Sequence, residues 1–228
     1  MCGRFTMTHE QLELLADDLG VAVDTLPNIR PRYNIAPTDE HFIVRMKHED
    51  REVLPAKWGL VNSWAKDAKR AAMQINARAE TLEQRSAYRD AFEHRRCIVP
   101  ADGFIEWSGP KTARQPLWFH SPDSSLIYFA GLYESWSPKP GEWQRTFTIV
   151  TTGANELLAP IHDRMPVILA KADIDDWLAP NVLLDHVREL MVPAPFHALV
   201  ARRVSSKINS VRYDQTDALD EIPDGITL

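Results

Sequence analysis

The feature that most constrains the fold is a series of short strand-like segments that do not alternate regularly with helices. Each segment is rich in β-branched and aromatic residues and is bounded by Gly, Pro or polar clusters. The segments are residues 41–47, 96–99, 104–107, 116–120, 126–133, 146–151 and 198–204. Because regular βαβ alternation is missing, the sequence predicts a β-rich α+β fold, with a mainly antiparallel sheet or open barrel and peripheral helices.

Helical patterns are fewer. A short helix is predicted over residues 8–19, because Thr8 and Gln11 have capping-box spacing, Leu and Ala recur at helical intervals, and Gly20 follows as a stop. Further helices are expected near residues 80–94, 171–178 and 181–190. Residues 27–37 read as proline-punctuated coil, and residues 58–74 as a long exposed loop of the kind that is often functional.

Length and cysteine content favour one domain in a reducing compartment. The 228 residues fit a single domain over 1–228, and two cysteines, Cys2 and Cys97, are too few for a disulfide framework. The N-terminus lacks the apolar core of a signal peptide, and no apolar run approaches the roughly 18 residues of a membrane span. We therefore expect a cytoplasmic protein with no membrane partner.

The charge is unevenly distributed. The formal net charge is −6, but residues 5–26 and 214–228 each carry five acids and no Lys or Arg. The stretch 27–213 holds 25 Lys and Arg against 22 Asp and Glu. Acidic ends thus flank a mildly basic middle, which permits a local site for an anionic ligand, although scattered solvated charges would give the same count.

Cys2 directly follows the initiator methionine and is small enough for Met1 to be removed. Removal would leave an α-amine and a thiol on adjacent carbons. The amine has an unperturbed pKa of about 7.7–8.0, so a useful fraction is neutral and nucleophilic at pH 7. The pair can attack one aldehyde twice, forming a Schiff base and then a five-membered thiazolidine. The alternative is that a cysteine stands at position 2 by chance and has no chemical role.

Glu106 is a candidate proton carrier. It lies in an apolar, strand-like run beside Trp107. A carboxyl in such a run would be partly desolvated and its pKa raised, as a general acid or base requires. A glutamate on the solvent face of a strand is the alternative, and Asp102 is the second candidate carboxylate.

His162 is the histidine with the most suggestive neighbours. It is flanked by Asp163 and Arg164 in a turn bounded by prolines, where it could carry protons or contact a phosphate. An ordinary loop histidine is the alternative. No histidine shows metal-ligand spacing with Cys or another His, so we expect no metal and no cofactor.

Asn76 and Arg78 are alternate residues of an extended segment and should share a face. An amide and a guanidinium on one face could hold a sugar and a phosphate. Arg4 and Arg89 could add phosphate contacts. Capping and salt bridging ahead of the following helix would explain Asn76 and Arg78 equally.

Together these elements resemble the SRAP family, the SOS-response-associated peptidase-like proteins that process abasic sites. The resemblance runs from Cys2 to about Asp214. It is carried, in this order, by residues 1–5 (MCGRF), 32–37 (RYNIAP), 58–60 (WGL), 75–81 (INARAET), 96–107 (RCIVPADGFIEW) and 161–166 (IHDRMP).

The resemblance implies an enzyme of the SOS response and DNA repair. In this reading Cys2 forms a thiazolidine cross-link with the aldehyde of an abasic site and shields the lesion, with associated Schiff-base lyase activity. Asn76 would position the N-terminus or the sugar, Glu106 would move protons, and His162 would assist at the sugar hydroxyl and in reversal. DNA contacts are expected at Arg4, Asn34, Pro37, Arg78, Arg89 and Arg164.

The implied partner is single-stranded DNA that contains abasic sites, bound by a monomer that joins the nucleoid at damage. One departure concerns the loop after Gly59. Family members often have proline near Asn62, and some have a second tryptophan where Ala65 stands. Trp64 is then the one aromatic residue of this loop that could stack on a base or wedge against a duplex end.

Two other functions fit parts of the pattern. The same motifs could belong to a cysteine peptidase, at least one that trims its own N-terminus, with Cys2 as the nucleophile. A non-covalent single-strand-binding module is a rival from another class. The first predicts cleavage of a peptide, and the second predicts equal binding to intact and abasic strands.

Overall fold

The computed structural model describes residues 2–10, 12–110 and 112–222, which form two β-sheets with short helices at their margins. The strands are β1 Phe5–Met7, β2 Arg32–Ile35, β3 Glu40–Lys47, β4 Asp50–Trp58, β5 Asn76–Arg78, β6 Arg96–Ala101, β7 Gly103–Ser108, β8 Gln115–His120, β9 Ile127–Lys139, β10 Glu142–Gly153, β11 Arg164–Pro166, β12 Ile168–Leu169 and β13 Val200–Arg203. The α-helices are α1 Leu12–Leu19, α2 Arg89–His94, α3 Ile174–Leu178 and α4 Leu184–Glu189. Short 3₁₀ turns cover Val23–Thr25, Ala71–Met73, Ala79–Thr81, Lys171–Asp173, Phe196–Ala198, Ser206–Asn209 and Thr216–Leu219.

The larger sheet closes into a five-stranded barrel. Strands β10, β4, β3, β6 and β9 pair in that order, and β9 pairs with β10 to complete the ring. All of these pairings are antiparallel except that of β4 with β10. The predicted β-rich, mainly antiparallel α+β fold is therefore confirmed. Strands β10 and β9 are the first and last in this order, and they pair with each other as a long hairpin. The barrel is therefore closed rather than open.

Aromatic residues fill the space next to the barrel wall. Phe5 meets Trp58 edge to face with ring centroids 5.0 Å apart, and Trp58 stacks on Phe147 at 6.4 Å. All three side chains are fully buried, and each such burial stabilises the fold by about 1.5–3 kcal/mol. Phe5 belongs to the smaller sheet, so this packing fixes the N-terminal strand against the barrel.

The smaller sheet has the strand order β13-β8-β7-β1-β2 and holds the N-terminus. Strand β1 lies between β2 and β7, with Phe5 opposite Phe104, and the N–H of Ile105 donates to the carbonyl of Arg4 at 3.0 Å. Residues 2–4 therefore leave the sheet alongside β7. A second hydrophobic cluster packs on this sheet, formed by Ile105, Trp118, Val204, Ile208, Ala218 and Leu219.

Several sequence-based boundaries are wrong. The first helix begins at Leu12 and not near Thr8. Gln11, the other residue of the predicted capping box, lies outside the described residues. Thr8 does not cap a helix, because its N–H and its hydroxyl both donate to Asp102 Oδ2 at 2.6 Å. The helix predicted over residues 80–94 is real only at its two ends, as the 3₁₀ turn Ala79–Thr81 and α2.

The loop after β4 is less exposed than predicted. Val61 and Asn62 are buried, and the Asn62 side chain donates to the carbonyl of Ala87 at 2.7 Å. Exposure begins at Ser63 and continues through most of the residues up to Arg70. In the described part of the chain, every helix is too short or too polar to cross a membrane.

Candidate active site

Cys2 lies where the two sheets meet. Its side chain is 0% exposed, and its Sγ lies 3.5 Å from the carbonyl oxygen of Arg4. Its own carbonyl accepts a 2.8 Å hydrogen bond from Nδ2 of Asn76, which β5 carries on the barrel side next to β10. Burial raises the pKa of the Cys2 thiol, and the nearby carboxylate of Glu106 raises it further.

Asn76 is itself buried and has an amide oxygen left over. Its side chain is 8% exposed, and within the described residues its Oδ1 has no hydrogen-bond partner. A buried polar atom without a partner is costly, which makes this oxygen a ready acceptor for an N–H group placed beside Cys2. The predicted partner residue Arg78 is exposed at the end of the same strand.

Glu106 is inside the protein and not on the solvent face of β7. The residue is 5% exposed, and burial raises the pKa of its carboxyl, while the charge of His162 acts in the opposite direction. Asp102, the second candidate, lies beside His9 and accepts hydrogen bonds from Thr6 at 2.5 Å and from Thr8, and these three neighbours keep the pKa of its carboxyl low despite burial. Of the two candidate carboxyls, Glu106 is therefore the one whose pKa is raised in the folded protein.

His162 faces the same cavity as Glu106. Its ring is partly exposed, and its Nδ1 accepts from the backbone N–H of Arg164 at 2.9 Å, with Asp163 Oδ1 at 3.1 Å. The cavity has a volume of about 510 Å³ and is lined by Glu106, Trp107, Ser108, Gly109, Arg114, Pro160, Ile161 and His162. The two predicted proton carriers thus share one solvent-connected space.

Two further cavities continue from this one along Trp107, and the three together are called the Trp107 groove. The first, of about 430 Å³, is lined by Arg4, Trp107, Thr112, Arg114 and Asn209. The second, of about 640 Å³, is lined by Gly3, Arg4, Ala36, Pro37, Thr38, Asp39, Trp107, Val211 and Arg212. The groove therefore passes Gly3 and Arg4 of the N-terminal segment.

Asn34, one of the predicted DNA-contact residues, is buried beside Arg4. It is 0% exposed; its Oδ1 accepts from Arg4 Nη1 at 2.7 Å, and its Nδ2 donates to three backbone carbonyls. Those carbonyls belong to Ile208, Ser210 and Tyr213. This arrangement favours a role in holding Arg4 and the segment 208–213 at the groove over direct contact with a ligand.

The other predicted DNA-contact residues are spread more widely. Arg164 makes a two-pronged ion pair with Glu80 at 2.5 and 2.9 Å and donates to the carbonyl of Thr151, so its guanidinium is already engaged. Arg89 is exposed at the start of α2, and Trp64 is 68% exposed in the loop after β4. Pro37 alone of this group lines the Trp107 groove.

The structure also brings in residues that the sequence did not single out. Arg114 and Arg212 line the groove from loops that follow β7 and β13, and Trp107 lines all three of its cavities. The adjacency of Trp107 to Glu106 was a usable signal. Arg114 gave none, because an arginine in a hairpin loop is ordinary in sequence.

Comparison with known protein families agrees with the motifs seen in the sequence. A family model described as "SOS response associated peptidase (SRAP)" matches residues 1–211. The chain belongs to the SRAP family.

Individual proteins agree with this assignment. The chain is 38% identical over 226 residues to "Abasic site processing protein YoqW" of Bacillus subtilis (strain 168), covering 96% of this chain and 99% of that protein. It is 30% identical over 185 residues to "Abasic site processing protein YedK" of Escherichia coli (strain K12), covering 80% and 81%. A crystal structure of a protein from Bacteroides thetaiotaomicron superposes with a TM-score of 0.85 at 24% identity, covering 97% and 100%, and supports the fold.

Proposed function

We propose that this protein processes abasic sites in single-stranded DNA by forming a covalent thiazolidine cross-link through Cys2 after Met1 is removed. The observation that carries the proposal is the placement of Cys2, whose carbonyl is held by Asn76 and whose thiol lies near the raised-pKa carboxyl of Glu106. The names of the relatives, which describe abasic-site processing, support the substrate. Met1 itself lies outside the described residues.

Removal of Met1 consumes one water, and condensation of the freed Cys2 with the aldehyde releases one. Hydrolysis of the Met1–Cys2 bond frees the α-amine, which adds to the aldehyde carbon of the ring-opened sugar. Glu106 donates a proton to the departing hydroxyl, and water leaves to give the Schiff base. Sγ then adds to the imine carbon while its proton passes to nitrogen, closing the five-membered ring. In this proposal Asn76 Oδ1, which has no hydrogen-bond partner among the described residues, accepts an N–H of the amine.

The lyase activity branches from the Schiff base. The imine acidifies the hydrogens on the neighbouring sugar carbon, so that loss of one proton expels the 3′-phosphate and breaks the strand. Thiazolidine closure removes the imine and competes with this elimination, which shields the lesion. His162, which lines the same cavity as Glu106, serves the sugar hydroxyl and the proton transfers of ring opening.

The burial of Cys2 argues against a peptidase that uses its thiolate. Nucleophilic cysteines sit in electropositive, accessible surroundings that lower the thiol pKa, whereas burial and Glu106 raise that of Cys2. Ring closure makes a smaller demand on the thiol. The amine has already bound the substrate, so the thiol attacks an adjacent electrophile within the same residue.

The Trp107 groove is the path proposed for the DNA strand. Arg4, Arg212 and Pro37 would contact it on one side of Trp107, and Arg78, Arg89, Arg164 and Trp64 would extend the interface beyond the groove. All of the reacting groups lie in one chain, so a monomer suffices, and the protein would be found on the nucleoid when damage is present. A binder without covalent chemistry would not need Cys2 to carry a free amine.

The test is denaturing electrophoresis after mixing the protein, freed of Met1, with matched oligonucleotides that are intact or contain one abasic site. We expect a heat-stable shifted band with the abasic strand alone. Equal retention of both strands under native conditions, with no band after denaturation, would leave a non-covalent binder and refute the cross-linking function.

A further inference from the structure

The middle cavity of the Trp107 groove has the composition of an anion site. Its described lining consists of two arginines, one tryptophan, one threonine and one asparagine, with neither Asp nor Glu among them. Its volume of about 430 Å³ is ample for a phosphate group and its neighbouring sugar atoms. Arg4 and Arg114 both line it.

The positive charge of Arg4 is not neutralised by an ion pair within the described residues. Its Nη1 donates to two neutral acceptors, Asn34 Oδ1 at 2.7 Å and the carbonyl of Ile208 at 2.9 Å. Among the described residues it has no carboxylate within ion-pair distance, and burial lowers the pKa of its guanidinium although Asp39 acts against this through space. A half-buried cation of this kind gains from an anion placed beside it.

Arg114 is held at the cavity by its hairpin. Ser108 pairs with Gln115 at the end of β7 and β8, and within the loop the N–H of Ala113 donates to the carbonyl of Pro110 at 2.9 Å. Gly109 adopts φ +86°, a left-handed conformation that favours glycine and turns the chain. The backbone of Arg114 is thus fixed, while its side chain is exposed to incoming ligands.

The remaining lining groups also offer donors. The indole N–H of Trp107 donates to Asn209 Oδ1 at 2.6 Å, which leaves the Asn209 amide nitrogen as the free end of that side chain. The Arg4 guanidinium lies 5.6 Å from the centroid of the Trp107 ring. With the Thr112 hydroxyl, the cavity presents N–H and O–H groups from several directions, as phosphate oxygens require.

We propose that this cavity binds a phosphodiester adjacent to the abasic nucleotide, and that Arg114 is the residue that captures it. The proposal rests on the proposed function for its choice of a DNA phosphate. The cavity shares Trp107 and Arg114 with the one that contains Glu106 and His162, so a bound phosphate would sit one step along the strand from the reacting sugar. The guanidinium fork suits two phosphate oxygens at once.

Binding of an intact single-stranded oligonucleotide tests this without depending on the cross-link. Fluorescence anisotropy over a series of salt concentrations would compare the wild type with Arg114→Gln, Arg114→Lys and the matched control Arg145→Gln, an exposed arginine of β10 outside the three cavities. Arg114→Gln should reduce the slope of log affinity against log salt by about 0.7, equivalent to about five-fold weaker binding at 0.1 M salt. Arg145→Gln should leave the slope unchanged.

The Lys variant sharpens the result. Arg114→Lys keeps the charge, so it should retain the slope and lose only part of the affinity. An unchanged slope for Arg114→Gln, or equal losses for Arg114→Gln and Arg145→Gln, would overturn the phosphate site. A wild type that binds the strand with the predicted slope but forms no cross-link would instead refute the proposed function alone.

Discussion

Cys2 and Cys97 are equally buried but differ in what surrounds them. Both side chains are 0% exposed, and burial raises the thiol pKa of each. Cys97 is the second residue of β6 and lies opposite Gly131, where a Cβ added to the glycine would come within 3.0 Å of its Sγ. Its carbonyl accepts a 2.9 Å bond from the Trp177 indole. Cys97 is thus a packing residue of the barrel wall.

Cys2 has polar neighbours instead. Asn76 holds its carbonyl, Glu106 acts on its thiol, and Gly3 next to it lines the Trp107 groove. Neither exposure nor thiol acidity separates the two cysteines. We therefore propose that the reactivity of Cys2 comes from its α-amine and from the proposed proton carriers around it, and the following experiments test that proposal.

The largest expected effect is the loss of the heat-stable adduct in Cys2→Ala. This variant keeps the α-amine, so borohydride should still trap a Schiff base on abasic DNA, but no ring can close. The matched variant Cys97→Ala should cross-link at the wild-type rate while losing about 1 kcal/mol of stability, a common cost for a core truncation. Denaturing gels with and without borohydride measure both, and a cross-linking defect in Cys97→Ala would abolish the distinction.

Glu106→Gln should slow cross-linking by about 100-fold, the lower end of general acid–base contributions, since amine–aldehyde condensation also proceeds unaided. Burial raises the pKa of Glu106, so its proton-donating form persists to higher pH than that of an ordinary carboxyl. The ratio of wild-type to variant rates should therefore fall as pH rises through that pKa. Time courses across a pH series provide the measurement, and identical rates near neutrality would remove Glu106 from the mechanism.

His162→Ala should have a smaller effect, and on a different step. The yield of adduct should stay high because condensation does not need this histidine, while release and strand cleavage should slow several-fold. A chase with excess unlabelled abasic strand would follow the release. If the variant released the abasic strand at the wild-type rate, His162 would have only a structural role.

The smallest effect concerns stability. A carboxyl whose pKa is raised on folding binds its proton more tightly in the folded state, so its contribution to stability is present at low pH and is lost as pH rises through the folded pKa. Glu106→Gln has no proton to lose. Its melting temperature should exceed that of the wild type at neutral pH, by about 2–4 °C for each 1 kcal/mol of destabilisation that the substitution removes. The difference between the two melting temperatures should become smaller in acid. A lower melting temperature at neutral pH would contradict the desolvated carboxyl.

The sequence could predict the β-rich fold because most strands carry dense β-branched and aromatic runs that pack locally. It missed β4, whose Asp50–Trp58 segment mixes charged residues and a proline, because its strand character depends on pairing along the whole of β3. It also missed β2, which pairs with β1 across a long stretch of chain. Pairing between distant segments leaves little local signal.

The candidate site could likewise be predicted from the sequence only in part. Cys2, Asn76, Glu106 and His162 stand in motifs that can be seen in sequence, and the structure brings their segments together at the sheet junction and the adjoining groove. The burial of Asn34 and the engagement of Arg164 by Glu80 could not be predicted. Both depend on partners more than 80 positions away in sequence, at Ile208 and Glu80.

The central claim is that the N-terminal amine of Cys2 reacts first, and blocking that amine tests it most directly. A variant that keeps Cys2 but carries a few non-removable residues before it retains the thiol, while the nitrogen of Cys2 stays in a peptide bond. Binding to an intact strand, measured in parallel, shows whether the extension obstructs the groove. We expect normal binding with neither a borohydride-trapped species nor a heat-stable adduct at Cys2. A heat-stable abasic adduct through Cys2 of the extended protein would contradict the account.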